Sequence, residues 1–158
     1  MPTILHNTAH LPLPPEAVYD YLTQPWRWHE WHPNSRSASH STTPLGVGSR
    51  FDEVIAVQPL APLPWTLTRQ THYVVEQAER PHVWQVRGQM GDGWLTIRYA
   101  LQPDGSGTRF DRTLTFATTG PVRLLTPILR RQMARMSAIA LANLQRRLQD
   151  GVQPTATT

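Results

Sequence analysis

Two arginines interrupt the apolar faces of predicted β-strands, and their chemistry suits the binding of an acidic ligand. Side-chain alternation places Arg69 and Arg112 among inward-facing aliphatic and aromatic residues. Because a guanidinium buried without a partner is costly, each should reach a carboxylate, a phosphate-like anion or the mouth of a cavity. The planar donors of arginine fit a ligand carboxylate. The alternative is an internal pair with Glu53 or Asp111, or exposure through a β-bulge.

The segment His29-Glu-Trp-His32 is the nearest approach to a metal-binding motif. The two histidines can share one helix face, but the zinc-protease pattern has them four residues apart, and no third ligand follows at a suitable spacing. The sequence also contains no cysteine, which excludes thiolate metal sites, disulfides and cysteine nucleophiles. We therefore expect no metal site.

Several other function classes lack their defining residues. All 15 basic side chains are arginines, so no lysine is present for a Schiff base, a pyridoxal-phosphate adduct or a P-loop. No G-x-S-x-G elbow occurs, and the glycine pairs lack the third glycine of a dinucleotide-binding loop. The net charge of +4 comes from interspersed arginines and acids, which is a weak nucleic-acid signal. We expect no cofactor and no nucleic-acid partner.

The sequence predicts that a strand, two short helices, a run of strands and one long helix position these residues, in this order. The first strand is predicted over 3–11, and prolines at 14 and 15 mark a helix start. The short helices are predicted over 16–22 and 26–32, and the later strands over 50–57, 65–76, 82–88, 94–101 and 108–117.

A long C-terminal helix is predicted over 122–150, because this stretch contains no glycine and consists largely of good helix formers. Pro127 lies in its first turn or kinks it. We expect Gly151 to cap the helix and residues 152–158 to form a flexible tail. Its apolar stripe consists of Leu125, Leu129, Met133, Met136, Ile139, Ala140 and Leu144.

The chain length fits a single domain, which we place at 1–151. One antiparallel sheet of about six or seven strands against one long helix is an α+β arrangement. A strongly curved sheet wrapped around such a helix leaves space between the two, and ligand pockets commonly occupy such space.

Two stretches near the N-terminus resemble the opening of the SRPBCC superfamily, which includes START lipid-binding domains, the major birch-pollen allergen and polyketide cyclase/dehydrase-like proteins. They are Pro14-Pro-Glu-Ala-Val-Tyr-Asp-Tyr-Leu22 and Trp26-Arg-Trp-His-Glu-Trp-His-Pro33. The turn into a strand at 46–51, the hairpin at 99–109 and the long terminal helix match too. The resemblance implies a helix-grip fold with a cavity between the sheet and the last helix. Members bind lipids, hormones, polyketides, quinones or aromatic metabolites, and a minority are enzymes.

Strand alternation and the helix stripe select the side chains expected to face this cavity. Gln132 and Asn143 have amides suited to a ligand oxygen, or to backbone groups instead. Trp31 holds an aromatic position of the superfamily and is expected to pack the short helices, whereas Trp26 or Trp28 caps the entrance. The predicted ligand-contacting set is Trp26, Trp31, Arg69, Tyr73, Trp84, Ile97, Tyr99, Arg112, Leu114, Phe116, Gln132, Met133, Met136 and Asn143.

The main functional expectation is the binding of a small hydrophobic or aromatic molecule that is lipid-, polyketide- or quinone-like. The alternative is an enzyme of the cyclase or dehydratase type, which needs a shaped pocket with one or two acid–base groups. Glu53, Tyr73 and Tyr99 are the candidates, with Glu53 as a general base if burial raises its pKa. The strand that carries Glu53 can be read in either register.

A third hypothesis is an interaction module. The long helix carries Arg130, Arg131, Arg135, Arg146 and Arg147, which suit an acidic partner or a lipid surface, or else form a solvated helix back. No apolar run predicts a transmembrane helix, and residues 1–13 do not resemble a signal peptide. We expect a cytoplasmic monomer or homodimer without stable membrane insertion.

Overall fold

The described chain contains seven strands and two α-helices, and the first strand packs against the last helix. The structure is a computed structural model that describes residues 1–58 and 62–150. The predicted cap at Gly151 and tail at 152–158 lie outside the described residues. The strands are β1 (Thr3–Leu11), β2 (Ser35–Ala38), β3 (Arg50–Val57), β4 (Leu67–Glu79), β5 (Val83–Met90), β6 (Gly93–Asp104) and β7 (Gly107–Thr118); the α-helices are α1 (Pro15–Leu22) and α2 (Thr126–Gln149); and 3-10 helices cover Pro25–Glu30 and Gly120–Leu125.

The strands form one antiparallel sheet in the order β1-β7-β6-β5-β4-β3-β2. Each strand from β2 to β7 pairs with its sequence neighbour, and β1 closes the far edge against β7. Irregularities in the pairing lie between Ser35 and Ser37 and between Val75 and Gln77. Such bulges increase local twist and bend the strand, so they contribute to the curvature of the sheet. The predicted helix-grip architecture, a curved antiparallel sheet with a long C-terminal helix, is confirmed.

The concave face of the sheet carries an aromatic cluster that fills one end of the fold. The ring of Trp28 meets Phe51, Tyr73 and Trp84 edge-on, with centroids 5.7, 6.0 and 6.1 Å away. The Trp84 ring in turn stacks on Tyr99 at 5.6 Å. All five side chains are buried. Because aromatic side chains bury the most area per residue, this cluster fixes the end of the sheet that helix α1 covers.

Helix α2 is buried along its second half and largely exposed along its first. Ser137, Ala140, Leu141, Leu144 and Leu148 form its buried stripe. The predicted stripe was wrong for Leu125 and Ile139, which are exposed. Leu125 lies in the 3-10 helix that precedes α2. Ile139 lies outside the run of three- and four-residue steps that begins at Ser137, so it turns toward the surface.

The start of the long helix also differs from the prediction. Residues 120–125 form a 3-10 helix, and α2 begins at Thr126 rather than at position 122. Gly120 has a positive φ of 65°, and Pro121 follows it directly, which separates this segment from β7. Pro127 lies in the first turn of α2, where its missing N–H costs nothing.

Candidate functional site

A hollow in two parts lies between the concave face of the sheet and the first half of α2. The part nearest the sheet, which we name the inner chamber, has a volume of about 50 Å³. The part nearer the surface, which we name the outer pocket, has a volume of about 290 Å³. Asn34, Met133 and Met136 line both, so the two parts adjoin along these side chains.

The inner chamber combines an apolar wall with a small set of polar side chains. Strands β3, β4, β6 and β7 supply one side, the segment from Trp28 to Asn34 supplies the rim, and α2 closes the other side. The apolar wall consists of Trp28, Trp31, Ile55, Leu95, Ile97, Leu114, Met133 and Met136, and the polar groups belong to His32, Asn34, Glu53, Tyr73, Tyr99, Arg112 and Ser137.

Glu53 is the buried carboxylate of the inner chamber, and its side chain is only 5% exposed. The structure settles the register of β3, because Phe51 and Glu53 both face inward. The Tyr73 hydroxyl donates a hydrogen bond of 3.2 Å to Glu53 Oε1. Burial raises the pKa of Glu53 from 4.5 to about 7, while the hydroxyls of Ser35 and Tyr73 and the charge of Arg112 act in the opposite direction. Glu53 therefore changes charge near neutral pH.

Arg112 brings a permanent positive charge into the same chamber, and it is 3% exposed. Its Nη1 donates to Ser137 Oγ at 3.0 Å, while Nε is buried without a partner. Within the described chain, no carboxylate lies within the 4.0 Å ion-pair distance of this guanidinium. The alternative of an internal ion pair between Arg112 and Asp111 is not found. Asp111 instead accepts a hydrogen bond from the Thr8 hydroxyl and forms an ion pair with Arg109.

Arg69 behaves differently from Arg112. Its guanidinium forms an ion pair with Asp92 in the turn between β5 and β6, and its side chain is partly exposed. Arg69 therefore forms an internal ion pair, but its partner is Asp92 and not Glu53 or Asp111, the two expected from the sequence. Arg69 does not line the inner chamber or the outer pocket.

The remaining ionisable groups of the chamber are held neutral. Burial lowers the pKa of His32 to about 3, and repulsion from Arg112 acts in the same direction. His32 Nδ1 accepts the Asn34 backbone N–H at 3.2 Å, which places the ring proton on Nε2. Burial raises the pKa of Tyr99 to about 12, although Arg112 acts to lower it. At pH values below 7 the chamber thus carries one uncompensated positive charge.

The structure brings together most of the predicted ligand-contacting side chains in the inner chamber. Eight of them line it: Trp31, Tyr73, Ile97, Tyr99, Arg112, Leu114, Met133 and Met136. Gln132 lines the outer pocket, where its Nε2 donates to the Gln58 carbonyl at 3.0 Å. Asn143 Nδ2 donates to the Trp31 carbonyl at 3.1 Å, so this amide fixes the end of the first 3-10 helix onto α2.

Three further predicted contacts, besides Arg69, Gln132 and Asn143, do not line the inner chamber. Trp26 packs its ring 4.7 Å from the His40 ring and lines a separate surface groove near α1. Trp84 and Phe116 are buried in the core beneath the chamber wall rather than in the wall itself. Both were predicted from strand alternation, which identifies the inward face but not the depth at which a hollow begins.

Sequence reasoning missed several chamber residues. Ser137 holds the Arg112 guanidinium, and His32 was considered only as a metal ligand. Ser137 lies four positions after Met133, so helical spacing alone would have found it. His32 has no comparable signal, because its segment is irregular beyond the first 3-10 helix. Across residues 1–58 and 62–150, no three His, Asp or Glu side chains are grouped as metal ligands.

Comparisons with known proteins agree with this architecture. The family model described as polyketide cyclase/dehydrase and lipid transport matches residues 2–149. The crystal structure of TTHA0849 from Thermus thermophilus superposes with a TM-score of 0.72 at 19% identity, covering 95% of this chain and 99% of that one. The Zhui aromatase/cyclase from Streptomyces sp. R1128 superposes with a TM-score of 0.72 at 13% identity, covering 96% of each chain. Ara h 8.0201 gives a TM-score of 0.67 at 10% identity, covering 96% of this chain and 100% of that one. Among curated proteins, none matches this sequence.

Proposed function

The chain belongs to the polyketide cyclase/dehydrase and lipid transport family, and from its inner chamber we propose that it binds a small hydrophobic or aromatic molecule that carries an acidic or carbonyl oxygen. Such a ligand is lipid-, polyketide- or quinone-like. Its oxygen contacts Arg112 in the inner chamber, and its apolar body lies in the outer pocket.

The buried guanidinium of Arg112 is the observation that carries this proposal. Desolvating a guanidinium without a carboxylate partner costs several kcal/mol, on the order of the penalty for other buried ions. A protein that bears this cost gains binding energy when an anionic or polarised oxygen enters, because a charge-assisted hydrogen bond is roughly twice as strong as a neutral one. The unpartnered Nε of Arg112 is one donor available for that bond.

The volumes of the two parts support this placement of the two ends of the ligand. About 50 Å³ accommodates a polar head group but not a ring system. The outer pocket of about 290 Å³ is near the lower end of the roughly 300–1,000 Å³ found for small-molecule sites. Met133 and Met136 stand at the junction, where flexible thioether side chains adapt to a planar or a bent ligand.

Calorimetric titration with 2-naphthoate and with 2-naphthalenemethanol tests this function, because the two probes differ mainly in the charged oxygen. We expect 2-naphthoate to bind about 10- to 100-fold more tightly, the range given by a hydrogen bond to a charged group. Arg112→Met should abolish this preference. Arg98→Met is the matched control, since Arg98 lies on the neighbouring strand and donates to Gln77 and Gln85 outside the chamber. Equal preference in R112M and wild type would refute the assignment.

A second candidate function, proton transfer, is favoured by the Glu53–Tyr73 pair. A carboxylate with a pKa near 7 is close to the optimum for a general base at neutral pH. Arg112 in the same chamber would stabilise the oxygen of an enolate formed when Glu53 removes a proton next to a carbonyl. These are the first steps of a cyclisation or a dehydration.

Deuterium exchange next to the carbonyl of 2-acetylnaphthalene, followed by NMR, tests the proton transfer without knowledge of the natural substrate. Wild type should accelerate the exchange, and Glu53→Gln should remove the acceleration. Acceleration that persists in the double variant E53Q/Y73F would exclude Glu53 and Tyr73 as the acid–base groups, and no acceleration in wild type would leave binding as the function.

A further inference from the structure

The rim of the outer pocket exposes apolar and cationic side chains side by side. On α2, Ile128, Arg131, Arg135 and Ile139 follow one another at three- and four-residue steps, so they share one side of the helix. Ile128 is 47% exposed, and Arg135 lines the outer pocket itself. This side of α2 is therefore a surface stripe that passes the pocket mouth at Arg135.

The opposite rim also presents large apolar groups to solvent. Trp65 is 54% exposed and Leu63 is 59% exposed, in the segment between β3 and β4. Their neighbour Thr66 lines the outer pocket, as does Gln58. The hydrogen bond from Gln132 to the Gln58 carbonyl connects the two rims, so both belong to one continuous surface, which we name the mouth surface.

The mouth surface has a single sign of charge. The sequence contains 11 acidic residues, and none of them falls within 33–38, 54–58, 62–75 or 120–149, the described segments that supply this surface. Arg36 and Arg135 line the outer pocket, and Arg123, Arg130 and Arg131 are exposed nearby on the helical segment. A positive field of this kind attracts an anionic surface and is screened by salt.

We propose that the mouth surface docks peripherally on a membrane that contains anionic lipids. Tryptophan side chains favour the boundary between head groups and acyl chains, and isolated leucine and isoleucine side chains insert shallowly beside them. Arginines between these groups contact lipid phosphates. A bilayer matches this mixture of exposed apolar and cationic side chains, and it places the pocket mouth next to the apolar phase from which a hydrophobic ligand comes.

The docking is peripheral rather than spanning. None of the described helices is long and apolar enough to cross a bilayer. The apolar stripe of α2 from Ser137 onward is used in the core, so the side available for contact with lipid is the exposed one that carries Ile128, Arg131, Arg135 and Ile139. The inference does not depend on Arg112 or on the identity of the ligand, and it can fail while the binding function stands.

Sedimentation of the full chain with vesicles tests the docking. We expect binding to vesicles of mixed phosphatidylcholine and phosphatidylglycerol, weak binding to phosphatidylcholine alone, and release at roughly 1 M salt, where the Debye length is about 3 Å. R131Q/R135Q should bind about 30-fold more weakly, or about 5-fold per arginine. R50Q/R109Q removes the same charge at exposed positions outside the mouth surface, and it should stay within about 2-fold of wild type because the contact is local.

Tryptophan quenching by brominated lipids locates the contact. Quenching in wild type should fall in Trp65→Phe, which keeps an apolar side chain but removes the reporter. Equal losses of vesicle binding in the two double variants would show attraction by net charge alone and overturn the proposal, as would failure to bind anionic vesicles at low salt. A solution dimer that Trp65→Ser disperses would assign the surface to a second copy of the chain and also overturn it.

Discussion

Replacing Glu53 with glutamine should change how the stability of this protein depends on pH. Glu53 has a pKa of about 7 in the folded protein because it is buried, compared with its ordinary value of 4.5. The fold therefore favours the protonated carboxyl. The stability that this group contributes is fully present below pH 4.5, declines as the pH rises to about 7, and stays at its lower level above that.

The size of the effect follows from the linkage between proton binding and folding. One pKa unit corresponds to about 1.4 kcal/mol, so ionising Glu53 inside the folded protein costs about 3 kcal/mol in total. Most of this loss falls between pH 5 and pH 8, where it amounts to about 2–3 kcal/mol. E53Q has no ionisable group at this position and keeps an acceptor for the Tyr73 hydroxyl. Between pH 5 and pH 8, the difference in free energy of unfolding between E53Q and wild type should therefore shift by about 2–3 kcal/mol in favour of E53Q.

Urea denaturation at several pH values from about 5 to about 8, the interval set by the linkage, measures this difference directly. The titration of His32 is common to both proteins and cancels in the comparison. Glu76→Gln removes an exposed carboxylate from β4 without altering the chamber, so its pH profile should keep the wild-type slope. Parallel profiles for wild type and E53Q would show that Glu53 is already ionised at the acidic end of the series and would refute the description of the chamber.

Other perturbations have equally defined outcomes. Arg112→Met should raise the free energy of unfolding of the ligand-free protein by about 1–2 kcal/mol, because it removes a buried charge that lacks a carboxylate partner; a loss of stability in thermal unfolding would show that its hydroxyl contacts compensate fully. Gly88→Ala would place a methyl carbon 2.7 Å from Tyr73 Cε1, so it should destabilise by about 1–3 kcal/mol, and a neutral result in urea would contradict this packing. Asn143→Ala removes a donor to a backbone carbonyl and should cost about 1 kcal/mol in the same assay. The affinity for 2-naphthoate should fall up to about tenfold per pH unit above about pH 7 in wild type but stay level in E53Q, as followed by calorimetry.

The regular elements of this fold could be predicted because their signals are local. The predicted bounds of β1 at 3–11 and β3 at 50–57 are the observed ones, because prolines follow β1 and a glycine-containing turn precedes β3. Strand β2 has only four residues, three of them polar, and its pairing with β3 depends on a partner distant in sequence. The sequence therefore predicted a run of strands after position 35 but did not identify β2 as a separate strand.

The candidate site was predictable in outline but not in its electrostatics. Alternation put Arg69 and Arg112 on apolar faces, yet only the fold decides that Asp92 reaches Arg69 and that no carboxylate of the described chain pairs with Arg112. The register of Glu53 was ambiguous, because the apolar residues of its strand do not alternate strictly. The division of the hollow into a small chamber and a wider pocket depends on side-chain volumes contributed by separate segments of the chain, which no local pattern contains.

A crystal structure of the complex with 2-naphthoate tests the central claim most directly. We predict a carboxylate oxygen within about 3 Å of an Arg112 guanidinium nitrogen, and the naphthalene ring between Met133 and Met136 in the outer pocket. A naphthoate found only outside this hollow, or bound inside it with its carboxylate directed away from Arg112, would contradict the account.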